Sequence, residues 1–351
     1  ENGAVVAPAD FDADGDIDLF VGNRSVPGSY GSIPKSYLFQ NDGNGRFRDV
    51  TEVLSEGLSD AGMVTDALWQ DVNGDKIPDL VVTGTWMPVS VFINSDGVIK
   101  DRTAAAGLSE SNGWWNALEA GDFDGDGDVD FLAGNLGLNA YLKASKEEPL
   151  KLYVKDFNED GQEDPVIAYT EGGKEYPVNP RDELLTHFKY LRSKFRTYND
   201  FAGKTMQQIF GEQLQENISI KEIYELRSSY LQNNGDGTFS IYELPVEAQF
   251  SPIFTFQAAD FDNDGTMDAL AGGNFHDVKP SLGGRYDAGY GLYLRGNGNG
   301  NFESTGLMNS GFVIDGEIRE IDLLRSSGDR VLIPVARNND SLLLFERKRS
   351  N

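Results

Sequence analysis

Carboxylates recur in this sequence at one fixed spacing. DFDADGDID (10–18), DVNGDKIPD (71–79), DFDGDGDVD (122–130), DFNEDGQED (156–164) and DFDNDGTMD (260–268) all fit Asp-x-Asp/Asn-x-Asp-x-x-x-Asp. Like charges this close repel, and a bound hard cation removes the repulsion. Calcium takes about six to eight oxygens, from carboxylates, amide oxygens and backbone carbonyls. Side chains at loop positions 1, 3, 5 and 9 can converge on such an ion. They are Asp10, Asp12, Asp14 and Asp18; Asp71, Asn73, Asp75 and Asp79; Asp122, Asp124, Asp126 and Asp130; Asp156, Asn158, Asp160 and Asp164; and Asp260, Asp262, Asp264 and Asp268. The carbonyl of position 7 adds a donor from Asp16, Ile77, Asp128, Gln162 and Thr266. The expectation is about five calcium ions, with magnesium less suited because it demands a rigid octahedron and keeps its waters. Four loops have glycine at position 6, whereas the second has Lys76, so the second is expected to bind most weakly.

The elements around the loops are strands. An EF-hand needs a bidentate Glu at position 12, and that position holds Val21, Val82, Ala133, Ile167 and Ala271. These residues lie in runs such as DLFVGN, DLVVTGT, DFLAGN and DALAGGN, which read as buried strands. A second repeat, YLFQNDGNGRF (37–47), VFINSDGVI (91–99), YLQNNGDGTF (230–239) and YLRGNGNGNF (293–302), is a strand, a Gly/Asn/Asp turn and a strand. The unit is therefore strand, acidic loop, strand, longer loop, strand, hairpin turn, strand. That is one four-stranded antiparallel blade of a β-propeller.

The loops and blade plan resemble the FG-GAP/VCBS-type repeats of integrin α-subunit propellers. GMVTDALWQDVNGD (62–75), GWWNALEAGDFDGDGD (113–128), GKEYPVNPRDELL (173–185) and VARNNDSLLLF (335–345) resemble, more closely, bacterial VCBS-repeat relatives of cartilage acidic protein. That family often carries an ASPIC/UnbV segment, which is not visible here, and the Phe-Gly/Gly-Ala-Pro signature survives only as AGN or VGN. The resemblance implies an all-β propeller outside the cytoplasm.

Blades are expected to start near residues 4, 62, 113, 151 and 253, with a sixth at 317–347 whose loop, LLRSSGDR, lacks the carboxylates for a metal. Six units are countable, and a longer chain could add a seventh. Residues 1–351 read as one propeller domain, a trimmed or mature piece of something longer. One segment departs from the β pattern. Asn179-Pro180-Arg181-Asp182 reads as a helix start, followed by Leu184, Leu185, Phe188 and Leu191 at helical spacing and a second helix with Met206, Ile209, Phe210 and Leu214. This helical insertion, about 179–216, is expected inside the fourth blade, between its second strand (164–170) and its third (about 224–233).

Strand geometry puts the acidic loops on one face and the remaining connections on the other. The second face would gather Arg24, Tyr30, Trp86, Trp114, Trp115, His276, Arg285 and Tyr286, and aromatics with arginine are common anchors of binding surfaces. Trp114 and Trp115 equally suit filling the core. The chain has 57 Asp and Glu against 30 Lys and Arg, a net charge of −27, which argues against nucleic acid and anionic lipid. It has no cysteine, only two histidines, and no apolar run long enough to span a membrane. The function expected is a calcium-stabilised extracytoplasmic module, at a bacterial surface or in the periplasm, that binds a glycan or a protein. The alternative is a calcium-dependent, lyase-like enzyme on acidic polysaccharide. His187 and His276 are each alone, and the carboxylates are committed to metal, so catalysis has no residue set of its own.

Overall fold

A computed structural model describes residues 1–326 and 330–347. The described residues are all-β, with six sheets, antiparallel but for the short edge strand Ser55–Glu56, and short helices. The first sheet is Asn2–Ala9, Asp18–Ser25, Tyr37–Asn41 and Phe47–Asp49 in sequence order. The second uses Met63–Gln70, Asp79–Met87, Ser90–Ser95 and Val98–Asp101, with two-residue strands added at its edges. The fifth, Ile253–Ala259, Asp268–Gly273, Leu292–Gly296 and Phe302–Ser304, repeats the same order. In the sixth, Ile318–Ile321, Leu324–Ser326 and Leu343–Glu346 all pair with Arg330–Arg337. The centre of its turn, 327–329, where no metal is expected, lies outside the described residues.

The first strands of successive sheets pack on one another. Asn2–Ala9 packs on Met63–Gln70, that strand on Ala117–Gly121, that on Ile253–Ala259, and that on Ile318–Ile321. Core side chains fill each seam. Phe20, Leu38 and Phe92 lie between the first and second sheets. Trp115, Phe131 and Leu231 lie between the second and third, and Phe123, Tyr230 and Leu294 between the third and fifth. Strand Asp79–Met87 shows why such runs are apolar throughout. Leu80 and Val82 face the first sheet and Val81 the third, so both faces are buried. Each fully buried Leu or Phe contributes about 1.5–3 kcal/mol.

The fourth unit departs from the expectation. Strand Ser229–Asn233 does not belong to it. That strand pairs with Asp130–Gly134, Phe131 opposite Leu231, and completes the third sheet together with Ala117–Gly121 and Phe239–Glu243. An insertion, 135–228, therefore interrupts the third sheet, and the helical segment expected at about 179–216 lies inside it, between Lys174–Pro177 and Ser219–Ile223. Within it, Leu150–Lys155, Asp164–Glu171, Lys174–Pro177 and Ser219–Ile223 form a separate fourth sheet, ordered Lys174–Pro177, Asp164–Glu171, Leu150–Lys155, Ser219–Ile223. It stands beside the stack, with Ser219–Ile223 against Asp79–Met87. The physical reason is the acidic loop of the third unit. Asp130 accepts hydrogen bonds from the Asn233 N–H (2.8 Å) and the Tyr230 hydroxyl (2.7 Å), which fixes that strand beside it.

The helices form where the sequence places them. Arg181–His187 starts after Pro180, which takes the N-cap position, and Thr197 and Thr205 close capping boxes on Tyr198–Phe201 and Met206–Phe210. Leu184, Leu185, Phe188, Leu191, Met206, Ile209 and Phe210 share one core with Phe157 and Val166 of the fourth sheet, so their stripes are packing. Among the described residues no helix is long and apolar enough to cross a membrane.

Candidate metal centres and the opposite face

Each acidic loop turns the chain from the first strand of its sheet into the second. Position 2 is an anchor: Phe11, Val72, Phe123 and Phe157 are buried, and Phe261 is half-buried. Position 6 turns with a left-handed backbone, φ +95° at Gly15, +96° at Gly127, +87° at Gly161, +91° at Gly265 and also +70° at Lys76. Position 4 does the same, at Ala13, Gly74, Gly125, Glu159 and Asn263.

The turns bring carboxylates together. Ligand oxygens of Asp10, Asp12 and Asp18 lie within 4.8 Å of one another, as do those of Asp122, Asp124 and Asp130, and those of Asp260, Asp262 and Asp268. In the second and fourth loops position 3 is an amide, Asn73 or Asn158, whose Oδ1 accepts the N–H of Asp75 or Asp160. At position 5, Asp14, Asp75, Asp126, Asp160 and Asp264 each accept the N–H two residues on, at Asp16, Ile77, Asp128, Gln162 and Thr266. The structure thus gathers positions 1, 3 and 9 in the first, third and fifth loops and ties position 5 to the backbone of position 7 in all five.

Position 9 is the buried member. Asp18, Asp79, Asp130 and Asp268 are fully buried, and Asp164 nearly so. Each accepts the N–H of position 2 in its own loop: Phe11, Val72, Phe123, Phe157 and Phe261. Four also accept an N–H from the third strand, of Asn41, Asn94, Asn233 and Gly296. Burial pushes Asp79 and Asp130 up to about 6 and lifts Asp18, Asp164 and Asp268 in the same direction. Among the described residues no lysine or arginine pairs with Asp18, Asp79, Asp130 or Asp164. Buried carboxylates without a counter-charge are costly. An all-oxygen set of two or three carboxylates per loop suits a hard cation.

Sequence reasoning missed the residue that leans on position 3 from the third strand. Gln40 donates to Asp12, and Gln232 donates to Asp124 at 2.5 Å. In the fifth sheet the same place holds Arg295, paired with Asp262 at 2.7 Å and Asp264 at 3.0 Å. The signal was present as the Gln or Arg in YLFQN, YLQNN and YLRGN.

The face opposite the loops is organised differently from the expectation. Trp115 is fully buried between sheets and donates its indole N–H to the Ser111 carbonyl at 2.9 Å. Trp86 is buried, donates to the Tyr30 hydroxyl at 2.9 Å, and lies 5.6 Å from the Trp114 ring. Trp86, Trp114 and Tyr286 do come together, but they share one core with Leu150, Leu152, Val154 and Ile223 of the fourth sheet. The inserted sheet covers this aromatic cluster, so Trp86 presents no surface to a partner, and Trp115, packed between the second and third sheets, presents none either. Contact is close: a Cβ on Gly31 would lie 2.5 Å from Val154. Arg24 and Arg285 are exposed. His276 is half-buried, and its backbone N–H donates to Glu317 at 2.9 Å.

Residues 10–82 and 71–133 match the family model described as FG-GAP-like repeat. The comparison with curated proteins finds no match. Among solved structures, the V. cholerae biofilm matrix protein Bap1 is similar at 10% identity and a TM-score of 0.36, over 99% of this chain and 69% of that one.

Proposed function

We propose that this chain is a calcium-stabilised extracytoplasmic binding module of the adhesion type. Five of its sheets form blades about one axis in the manner of a β-propeller, and the inserted fourth sheet covers part of one face. The observation that carries the reading is the convergence of three carboxylates within 4.8 Å in each of three loops, each group holding a fully buried position 9 aspartate. Calcium fits better than magnesium because the loop set combines carboxylates, amide oxygens and a carbonyl without octahedral regularity. In the second and fourth loops Asn73 and Asn158 supply a neutral oxygen in place of a carboxylate. The motifs at 62–75, 113–128, 173–185 and 335–345 support kinship with the bacterial VCBS-repeat relatives of cartilage acidic protein. Calcium outside the cytosol is abundant enough to fill open loops of this kind. The remaining face then binds a glycan or a protein, and the module catalyses nothing.

The test is metal analysis of protein dialysed against low calcium, with melting followed on chelation. About five calcium ions per chain are expected, and chelation should lower the melting temperature because calcium binds the native state alone. A content of zero or one, or melting indifferent to chelation, overturns the reading.

A further inference from the structure

We infer that the chain associates head to tail with a second copy of itself, the outer face of the first sheet packing on the outer face of the sixth. The stack of sheets has two ends. Among the described residues no hydrophobic core joins the first sheet to the sixth, so each keeps one face without a neighbour. On the first sheet that face is apolar. Val6 is 56% exposed and Phe47 47%, and Leu19, Val21 and Phe39 are half-buried. Their sequence neighbours Ala7, Phe20 and Leu38 pack toward the second sheet, and successive side chains of a strand point to opposite sides.

Strand register shows what belongs there. Leu19 pairs with Phe39, and Asn41 with Phe47. The places of Leu19, Phe39 and Phe47 are held by Leu80, Phe92 and Ile99 in the second sheet, and by Phe131, Leu231 and Phe239 in the third. The first trio is buried against the first sheet and the second trio against the second sheet. Ala269 and Leu294 of the fifth sheet are buried in the same way against the third. In three later sheets this set therefore receives the sheet before it, and in the first sheet it meets solvent. Asn41 adds a polar sign. Asn94 and Asn233, which hold its place, each donate one amide bond to their own sheet, at Pro78 and Val129, and one across the seam, to the Phe11 and Val72 carbonyls. Asn41 makes the first kind, to the Ile17 carbonyl at 3.1 Å, and among the described residues has no partner of the second kind. The face is thus built for a sheet of the same repeat, which brings a loop carbonyl together with apolar side chains.

The sixth sheet offers the complementary end. Ile333 and Val335 pack toward the fifth sheet, so Leu332 and Pro334, which alternate with them, face away from it. Leu324 pairs with Leu332 and Leu344 with Pro334, and Leu324 and Leu344 are exposed. Within the stack each seam joins such an onward face to the receiving face of the next sheet. The sixth sheet of one copy and the first sheet of another bring together the same two kinds of surface. Each chain has one of each, so the contact is heterologous and can repeat from copy to copy. The net charge of −27 opposes association, and salt screens that repulsion.

Sedimentation equilibrium of the full chain, calcium-loaded, over a hundredfold range of concentration tests this. The average mass is expected to rise beyond that of one chain, and to rise further at high salt. Phe47→Gln and Leu344→Gln leave the net charge unchanged and lie at exposed positions, so their melting temperature and calcium content should match the parent. Each variant alone is expected to associate at least tenfold more weakly. An equimolar mixture of the two is expected to form dimers again, because each keeps the face that the other lacks. Should either variant melt early, Val6→Gln and Leu324→Gln replace the pair. A parent that stays monomeric over the whole range overturns the proposal. Undiminished association of Leu344→Gln overturns it in favour of two first sheets face to face. Failure of the folded variants to recover on mixing overturns the head-to-tail arrangement. Association that weakens with salt also overturns it, because charge pairing elsewhere would then hold the copies together.

Discussion

The side-chain amide of Asn94 donates a hydrogen bond to the Phe11 carbonyl oxygen, 2.7 Å away, across the seam between the second and first sheets. Asn233 does the same to Val72 at 2.9 Å, one seam further on. In the fifth sheet the Gly300 N–H reaches the Phe123 carbonyl at 3.1 Å. Three of the five acidic loops are thus tied by their position 2 carbonyl to the hairpin of a neighbouring sheet in the stack. Metal binding that orders a loop therefore also stiffens the seam beside it.

Asn94 is fully buried and also donates to the Pro78 carbonyl at 3.1 Å. Asn94→Ala strands both carbonyls and is expected to cost about 1–3 kcal/mol. Urea unfolding at saturating calcium measures this, and an unchanged midpoint would refute the tie.

Lys76 sits at φ +70°, where the other four loops place glycine. A side chain in that conformation costs on the order of 1 kcal/mol. Lys76→Gly should tighten calcium at the second loop about fivefold, which is ~1 kcal/mol. Calorimetric titration of stripped protein, with Asp71→Ala marking the site, checks it. No change, or weaker binding, would show that the strain is absorbed elsewhere.

Arg295 holds two carboxylates of the fifth loop, where the first and third loops face glutamine. A fixed cation against the ligands opposes a second cation. Arg295→Gln copies the neighbouring arrangement and should tighten calcium at 260–268 severalfold, with the gain shrinking at high salt. Equal affinity in parent and variant would mean that the guanidinium swings away when the ion enters.

Glu119, on an inner strand, accepts the Ala258 N–H at 2.7 Å and faces Asp66, Glu320 and Asp322. Burial first, then these like charges, push Glu119 up to about 7, and burial pushes Asp66 up to about 6. Both bind protons more tightly folded than unfolded. Their contribution to stability is present at low pH and is lost as pH rises through about 6 and about 7. At saturating calcium, Glu119→Gln should raise stability at pH 8 by on the order of 2 kcal/mol and change it little at pH 5. Melting curves at the two pH values decide this, and a gain of equal size at both would rule out titration of Glu119.

The acidic loops, the strands they join, the hairpins and the helical segment were legible in the sequence because each is written in local spacing. Carboxylates alternate over nine residues, apolar residues run through the strands, and glycines mark the turns. Local spacing does not say which strand pairs with which. Ser229–Asn233 lies about a hundred residues from Asp130, and only the folded chain brings the Asn233 N–H and Tyr230 hydroxyl onto that buried carboxylate. That single pairing moved the strand to the third sheet and made 135–228 an insertion within it. It also left the fourth sheet free to cover Trp86 and Trp114. Burial of an aromatic depends on what packs over it, a long-range property, so composition marked those residues as anchors while tertiary structure made them core.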